Sequence, residues 1–153
     1  MIQNDTFLYR KKELELVQSF TYLGITFSSS ASFKKAYQTL GDKACKAMYP
    51  LVDAIFKFNL SVPKALELFE KLVRPILLYG SEVWASFSSH QLNSISKHPD
   101  ALLRYSLESP VNRPKLKFCK QILGLKRNSP SLAVFGELGI IPTALFAIIR
   151  TIK

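Results

Sequence analysis

The feature that most constrains the fold is an apolar repeat at steps of three and four residues after position 32. The repeat consists of Tyr37, Leu40, Ala44, Ala47, Met48, Leu51, Ile55 and Phe58. At about 100° per residue these side chains share one side of a helix, so the pattern predicts a long amphipathic helix. Pro50 interrupts the repeat, and because proline removes a hydrogen bond and clashes with the preceding turn, we expect a kink or a break there.

Prolines and glycines divide the rest of the chain into shorter predicted helices. Ser61 and Pro63 favour the start of the next helix. Its predicted buried face consists of Leu66, Phe69, Leu72, Val73, Ile76 and Leu77. Another helix should begin at Pro114 and end at Gly124, which occupies the position of a C′ cap. Two more short helices should begin near Pro130 and Pro142.

The stretch PILLYGSEVWA, residues 75–85, has the composition of a corner between two helices. Pro75 and Gly80 should set the direction of the chain. Trp84, Tyr79 and Phe69 follow the helical apolar period, so we expect them in the core rather than stacked on bases.

The first part of the chain has strand character over residues 7–28. Leu14 and Leu16 alternate with two glutamates, the pattern of a half-buried strand. Lys11 and Lys12 are predicted to close a two-residue hairpin, although neither favours positive φ. Gly24 within a strand-like run predicts a bulge or a close approach by another group.

Together these patterns predict a mainly α fold with a small N-terminal antiparallel β hairpin followed by a helical bundle. The expected organisation is a β element at 1–30, a helical bundle at 31–85, an irregular linker at 86–113 and a helical segment at 114–153. Within the linker, one short helix is expected near Leu102 to Leu107.

The charge of the chain favours a polyanionic partner. Lysine and arginine total 21 against 11 acidic residues, a formal net charge of +10. The excess is regional, with five positive against two negative side chains in residues 31–60 and eight against two in residues 91–128. Nucleic acid is the first expected partner and an acidic membrane surface the second, while a merely solvated basic surface stays open.

Two basic groups carry this excess. The first lies opposite the apolar face of the long helix and consists of Lys35, Lys43, Lys46 and Lys57. The second is the densest basic cluster and consists of Lys115, Lys117, Lys120, Lys126 and Arg127. Either group could contact phosphates, but the first could also be an ordinary solvated helix face and the second a localisation signal.

Other patterns predict no metal site and no membrane span. Cys45 and Cys119 are far apart and form no CxxC pair, which gives no sign of zinc. The N-terminus is not expected to act as a signal peptide, and the longest apolar run is shorter than the roughly 20 residues that span a bilayer. We therefore expect an intracellular protein, nuclear or cytoplasmic, rather than a secreted one.

Five blocks in one order carry a family resemblance: FTYLGITF, KACKAM, LFEKLVRPILLYGSEVW, LKFCKQILGLKR and AVFGELGIIP. Together they resemble the region downstream of the catalytic core in reverse transcriptases of LINE-type (non-LTR) retrotransposons. The resemblance extends from about Phe7 to Lys153 and is weakest between Ser86 and Arg113.

The resemblance implies a role for each block. FTYLGITF would be the primer grip at the end of the palm, with Tyr22, Leu23 and Gly24 at its turn. The helices after Ser32 would form the thumb, whose lysine face would lie along the template–primer duplex. The blocks after Pro114 would be the start of the post-thumb segment, truncated at its C-terminus.

The resemblance also implies that this chain is not itself an enzyme. The family's polymerases hold Mg²⁺ at aspartates of an FADD-type motif upstream of the primer grip, and no such motif occurs here. Asp5, Asp42, Asp53 and Asp100 are isolated and lack the paired spacing of two-metal chemistry. The expected partners are an RNA–DNA or DNA duplex, template RNA and the remainder of the parent polymerase, and no catalytic residue, metal or cofactor is assigned within this chain.

Two alternatives remain beside this interpretation. One is a helical protein-interaction module or a degenerate retrotransposon remnant, in keeping with Lys11-Lys12 in place of a glycine-containing turn and Pro50 inside a thumb helix. The other, weaker alternative is peripheral membrane attachment through the apolar face of residues 144–153.

Overall fold

The computed structural model describes residues 7–85, 98 and 100–152 of the 153-residue chain. Two antiparallel hairpins come first, β1 (Leu8–Tyr9) with β2 (Lys12–Glu13) and β3 (Ser19–Tyr22) with β4 (Ile25–Ser28). Helices account for most of the remaining described residues. The fold is therefore mainly α with a small antiparallel β element at the N-terminus, which confirms the predicted class.

Outside the stretch between α4 and α5, the described helices follow one another with short connections. They are α1 (Lys34–Lys57), α2 (Val62–Leu72), α3 (Arg74–Leu77), α4 (Ser81–Trp84), α5 (Asp100–Glu108), α6 (Arg113–Ile122), α7 (Ser131–Glu137) and α8 (Thr143–Ile152). A 3₁₀ turn, Pro110–Asn112, joins α5 to α6. The short helix expected near Leu102 to Leu107 corresponds to α5, whereas nearly half of the predicted linker, residues 86–97 and 99, lies outside the described residues.

Helix α1 forms the centre of the bundle. Its inner face, from Leu40 to Ile55, is buried against Phe69 of α2, Leu77 of α3 and Phe118 of α6. The Phe69 and Phe118 rings pack with their centroids 4.6 Å apart. A kink or a break was expected at Pro50; the helix continues through it from Lys34 to Lys57, so a break does not occur. Pro50 is exposed, which leaves the buried face of the helix intact.

Three predicted core positions proved wrong. Phe58 is 67% exposed because it follows the last residue of α1, and Leu72 is 57% exposed at the end of α2. Tyr79 is half exposed. Trp84 and Phe69, by contrast, are buried as predicted.

The 3₁₀ turn, which falls in the predicted irregular linker, is part of the core. Val111 and Asn112 are buried, and the Asn112 Oδ1 accepts a hydrogen bond of 2.8 Å from the Thr143 amide at the start of α8. Gly41 of α1 lies close to this turn, since a Cβ at Gly41 would be 3.8 Å from the Pro110 carbonyl oxygen. The turn therefore joins α1 to the C-terminal helix.

Glycine caps shape the ends of α6 and α7. Gly124 has φ 64° and Gly139 has φ 60°, conformations that favour glycine. At the end of α6 the Leu125 amide donates to the Lys120 carbonyl at 2.8 Å and the Gly124 amide donates to the Gln121 carbonyl at 3.1 Å. This pair of hydrogen bonds is a Schellman motif, which confirms the predicted cap and turns the chain back along α6.

The predicted corner at residues 75–85 joins the second hairpin to the helices. Gly80 has φ 63° between α3 and α4, and a Cβ there would overlap with the Ile25 side chain of β4. The Tyr79 hydroxyl donates a 2.8 Å hydrogen bond to the Leu23 carbonyl. Trp84 Nε1 donates to the Tyr79 carbonyl at 2.8 Å. Because Gly80 lacks a side chain, the hairpin can pack directly on the corner.

The N-terminal hairpins differ from expectation in register and burial. The first turn uses Arg10 and Lys11, with φ of 50° and 65°, instead of Lys11 and Lys12. Leu14 and Leu16 are exposed and lie between strands, so the predicted half-buried strand is wrong. Gly24 is in a hairpin turn and not in a bulge, because Tyr22 pairs with Ile25.

Candidate nucleic-acid interface

The four lysines predicted on the outer side of α1 are all exposed. Lys35, Lys43, Lys46 and Lys57 lie within an arc of roughly 80° on the helix, opposite the buried face. Asp53 shares this arc and Asp42 borders it, so the face carries both signs of charge with a positive excess. A face of this kind can follow a phosphate backbone, with the aspartates reducing its potential.

Lys115 does not belong to the exposed basic cluster. It is 1% exposed, and its Nζ lies 2.8 Å from Glu70 Oε1 and donates a 3.2 Å hydrogen bond to the Ile141 carbonyl. Its ammonium also lies 5.6 Å from the centroid of the Phe146 ring. Lys115 is therefore a structural cation that joins α2, α6 and the segment before α8, and it is not available to a phosphate.

The remaining cations of this region are on the solvent side of α6 and on the turn after it. Lys117, Lys126 and Arg127 are exposed, and Lys120 is half-buried. Arg113 begins α6 and is also exposed on the same side. Sequence reasoning missed Arg113, although its spacing to Lys117 and Lys120, four and seven residues on, is that of one helix face.

Lys117 joins the two basic groups. Its Nζ donates a 2.6 Å hydrogen bond to the Tyr49 hydroxyl of α1 and lies 4.7 Å from the centroid of that ring. Lys46 precedes Tyr49 by three residues, so it lies one turn away on the same helix. We define the cationic surface as Lys35, Lys43, Lys46 and Lys57 of α1 together with Arg113, Lys117, Lys120, Lys126 and Arg127.

A groove between α1 and α6 runs beside this junction. It has a volume of about 190 Å³, and its lining includes Lys34, Asp42 and Cys45 of α1 as well as Arg113 of α6. Burial raises the pKa of the Cys45 thiol, with Lys117 acting in the opposite direction and Asp42 in the same one. Lys34 is a second cation that the sequence pattern did not single out.

A larger pocket opens on the solvent side of α6. Its volume is about 510 Å³, and Arg113 lines both this pocket and the groove. Lys117, Lys120 and Arg127 also line it, and Lys120 Nζ donates a 2.7 Å hydrogen bond to the Arg127 carbonyl. The pocket is thus surrounded by four cationic side chains.

The predicted primer-grip residues are at the tip of the second hairpin. Tyr22 is 59% and Leu23 71% exposed, and Gly24 is exposed as well. Leu23 and Gly24 have φ of 47° and 80°, as a two-residue turn between tightly twisted strands requires. The tip is fixed to the helices through Tyr79 and is accessible from solvent.

The remaining candidate chemistry is limited. Among the described residues, no three His, Cys, Asp or Glu side chains are grouped so that they could hold a metal ion. Burial raises the pKa of Cys119 to about 12, and burial together with Tyr105 raises the pKa of Tyr37 to about 12. The Tyr37 hydroxyl donates to the Trp84 carbonyl, so its role is structural.

The C-terminal helix packs its apolar side inward. Thr143, Ala147 and Ile148 are buried, and Arg150 forms an ion pair of 3.5 Å with Glu82 of α4. The face from Ala144 onward that was considered for membrane attachment is therefore largely occupied by the protein itself. Within residues 7–85 and 100–152, no helix has the length and apolarity needed to cross a bilayer.

Comparisons with known protein families, curated proteins and solved structures gave no match to this chain.

Proposed function

We propose that this chain binds nucleic-acid duplexes without sequence preference, as the primer-grip, thumb and post-thumb part of a LINE-type reverse transcriptase. In this proposal DNA synthesis takes place on the remainder of the parent polymerase, and the chain alone does not extend a primer. The observation that carries the binding proposal is the junction at Tyr49, where Lys117 of α6 contacts the helix that bears the α1 lysines.

The physical basis is electrostatic. Lysine and arginine side chains that replace condensed counterions on a duplex release those ions to the solution. The nine cations of the cationic surface can contact several phosphates of a duplex, and contacts to phosphates carry no sequence information. The family resemblance of the sequence blocks supports a duplex as the polyanion.

The direct test is duplex affinity as a function of salt, measured by fluorescence anisotropy with an RNA–DNA hybrid and a DNA duplex. We expect the affinity to fall by at least tenfold between roughly 50 and 200 mM salt, because several phosphates are neutralised. Lys46→Gln and Lys117→Gln should each reduce the slope of log affinity against log salt by about 1.

Lys71→Gln is the matched control for these variants. Lys71 is an exposed lysine of α2 that pairs with Glu67 and is not part of the cationic surface. Its replacement removes the same charge and should leave the slope within error of the wild-type value. Binding that is absent at low salt, or equally weakened by all three variants, would contradict the proposed surface.

The second candidate function is a protein-interaction module, and the exposed apolar side chains of the N-terminal hairpins favour it. Phe7, Leu8, Tyr9, Leu14, Leu16, Val17, Phe20, Tyr22 and Leu23 are each at least half exposed. Exposed apolar side chains in such number are typical of a docking site. No duplex binding at low salt would favour this second function over the first.

A further inference from the structure

We infer that the pocket on the solvent side of α6 is a nucleotide site, which takes one unpaired nucleotide of a nucleic-acid strand. This inference rests on the proposed function because it assigns a second mode of contact to the same cationic surface. The ligand chemistry is a base with a neighbouring phosphate, and a free mononucleotide would offer the same groups.

The pocket lies beside the C-terminal end of α6, and the turn that follows the helix forms part of it. The Schellman cap at Gly124 reverses the chain, and Leu125 and Arg127 therefore return beside the helix to form one wall. The hydrogen bond from Lys120 Nζ to the Arg127 carbonyl fixes that wall to the helix. The Schellman cap therefore sets the backbone position of this wall, and the Lys120 side chain connects the wall to the helix.

The interior of the pocket suits the face and edge of a base. Leu116 and Leu125 supply apolar surface, and Gln121 adds a carboxamide. A carboxamide carries both a hydrogen-bond donor and an acceptor, which match the polar edge of a base.

The rim of the pocket suits the phosphates on either side of such a base. Arg113 and Lys117 approach from the helix, and Arg127 approaches from the returning turn. The volume of about 510 Å³ is within the range of small-molecule sites, roughly 300–1,000 Å³, and exceeds what a lone phosphate requires. Lys117 also contacts Tyr49, which places the pocket next to the α1 part of the cationic surface.

A paired base does not fit this arrangement. In a duplex both faces of each base are covered by stacking, so only the phosphates and groove edges are exposed. A partly apolar lining that includes a carboxamide matches an unstacked base, whose faces and polar edge are free. The pocket is therefore expected to distinguish a strand with an unpaired end from a blunt duplex.

The test compares a blunt DNA hairpin with the same hairpin carrying a four-nucleotide single-stranded tail. We expect the tailed form to bind about tenfold more tightly, the factor that burial of a few tens of Å² of base surface provides. Arg127→Glu and Leu125→Asp should abolish this difference. Lys126→Glu is the matched control, since Lys126 is an exposed neighbour that does not line the pocket.

The control should weaken both forms equally and keep their ratio. Circular dichroism of each variant establishes that the helices remain folded. Equal affinity of the wild-type chain for blunt and tailed hairpins, together with no response of the Leu125 and Gln121 NMR signals to AMP, would overturn the inference.

The two probes also separate the inference from the proposed function. AMP-dependent shifts at Leu125 and Gln121 with equal hairpin affinities would assign the pocket to a free nucleotide instead of a strand. AMP binding without any salt-dependent duplex binding would retain the nucleotide site and reject the duplex-binding function. Steep salt dependence with neither tail preference nor AMP binding would retain the duplex-binding function and reject the nucleotide site.

Discussion

Lys115 and Lys117 are two positions apart on α6, and they lie in opposite environments. Two residues correspond to about 200° around a helix, so one lysine joins the core while the other faces solvent. Lys115 fits in the core only because Glu70, the Ile141 carbonyl and the Phe146 ring receive its charge. A cluster of lysines in sequence is therefore not one functional unit.

Replacement of Lys115 by methionine should destabilise the protein without changing duplex affinity. The change leaves Glu70 with Arg74 as its remaining ion-pair partner, and because Glu70 is partly exposed we expect a loss of about 2 kcal/mol in unfolding free energy. Urea unfolding measures this loss. Lys117→Met, the matched exposed replacement, should change stability by less than about 0.5 kcal/mol while weakening duplex binding.

The two cysteines should differ sharply in reactivity. Burial raises the pKa of the Cys119 thiol to about 12, so near pH 8 its thiolate is scarce, and the side chain is inaccessible as well. Cys45 is only partly buried, and iodoacetamide should label it first, as peptide mass spectrometry can determine. Lys117→Met should slow labelling of Cys45, because Lys117 lowers the pKa of that thiol. Labelling of Cys119 before Cys45 in the folded chain would contradict the described packing.

At the scale of elements, one corner determines how the second hairpin meets the bundle. The Val73 break between α2 and α3 and the left-handed Gly80 between α3 and α4 turn the chain twice within a few residues. Ile25 then packs against Gly80, and the Leu23 carbonyl accepts from Tyr79. The glycine is therefore required both for its backbone conformation and for the space it leaves.

Gly80→Ala should reduce the unfolding free energy by about 1 to 3 kcal/mol. Positive φ is costly for alanine, and the added Cβ would displace Ile25 and with it the hairpin tip. Gly136→Ala is a suitable control, because Gly136 is within α7 and a methyl group at this position would meet no neighbouring group within 4 Å. The control should be neutral or stabilising by up to about 1 kcal/mol in the same urea experiment.

At the scale of the whole molecule, burial is divided unevenly along the chain. The helices share one core, whereas β1 and β2 chiefly contact each other and their apolar side chains are exposed. A two-stranded hairpin that packs against no other element is only marginally stable in water. The first hairpin therefore contributes exposed apolar surface and little stability.

Deletion of residues 1–17 should reduce binding of the dye ANS and increase solubility, since exposed apolar side chains are removed. The helical circular dichroism signal should persist, and the melting temperature should change by less than about 3 °C. Loss of cooperative melting after this deletion would show that the first hairpin is a structural part of the core.

The sequence by itself determined where the long helix lies and where α6 ends. The three- and four-residue apolar repeat predicted α1, and the glycine at position 124 predicted the cap of α6, because both depend on local geometry. The exposure of the four α1 lysines followed from the same repeat. These features need only the period of the helix and the conformational freedom of glycine.

Tertiary structure alone decided which cations are free and which elements form the site. Nothing local revealed that Lys117 would contact Tyr49, 68 residues away, or that the turn after α6 would close a pocket with Arg113. Pro50 was retained inside a continuous helix because packing of the buried face outweighs one lost hydrogen bond on the exposed side. Long-range packing sets these outcomes, since its energy depends on partners that are distant in sequence.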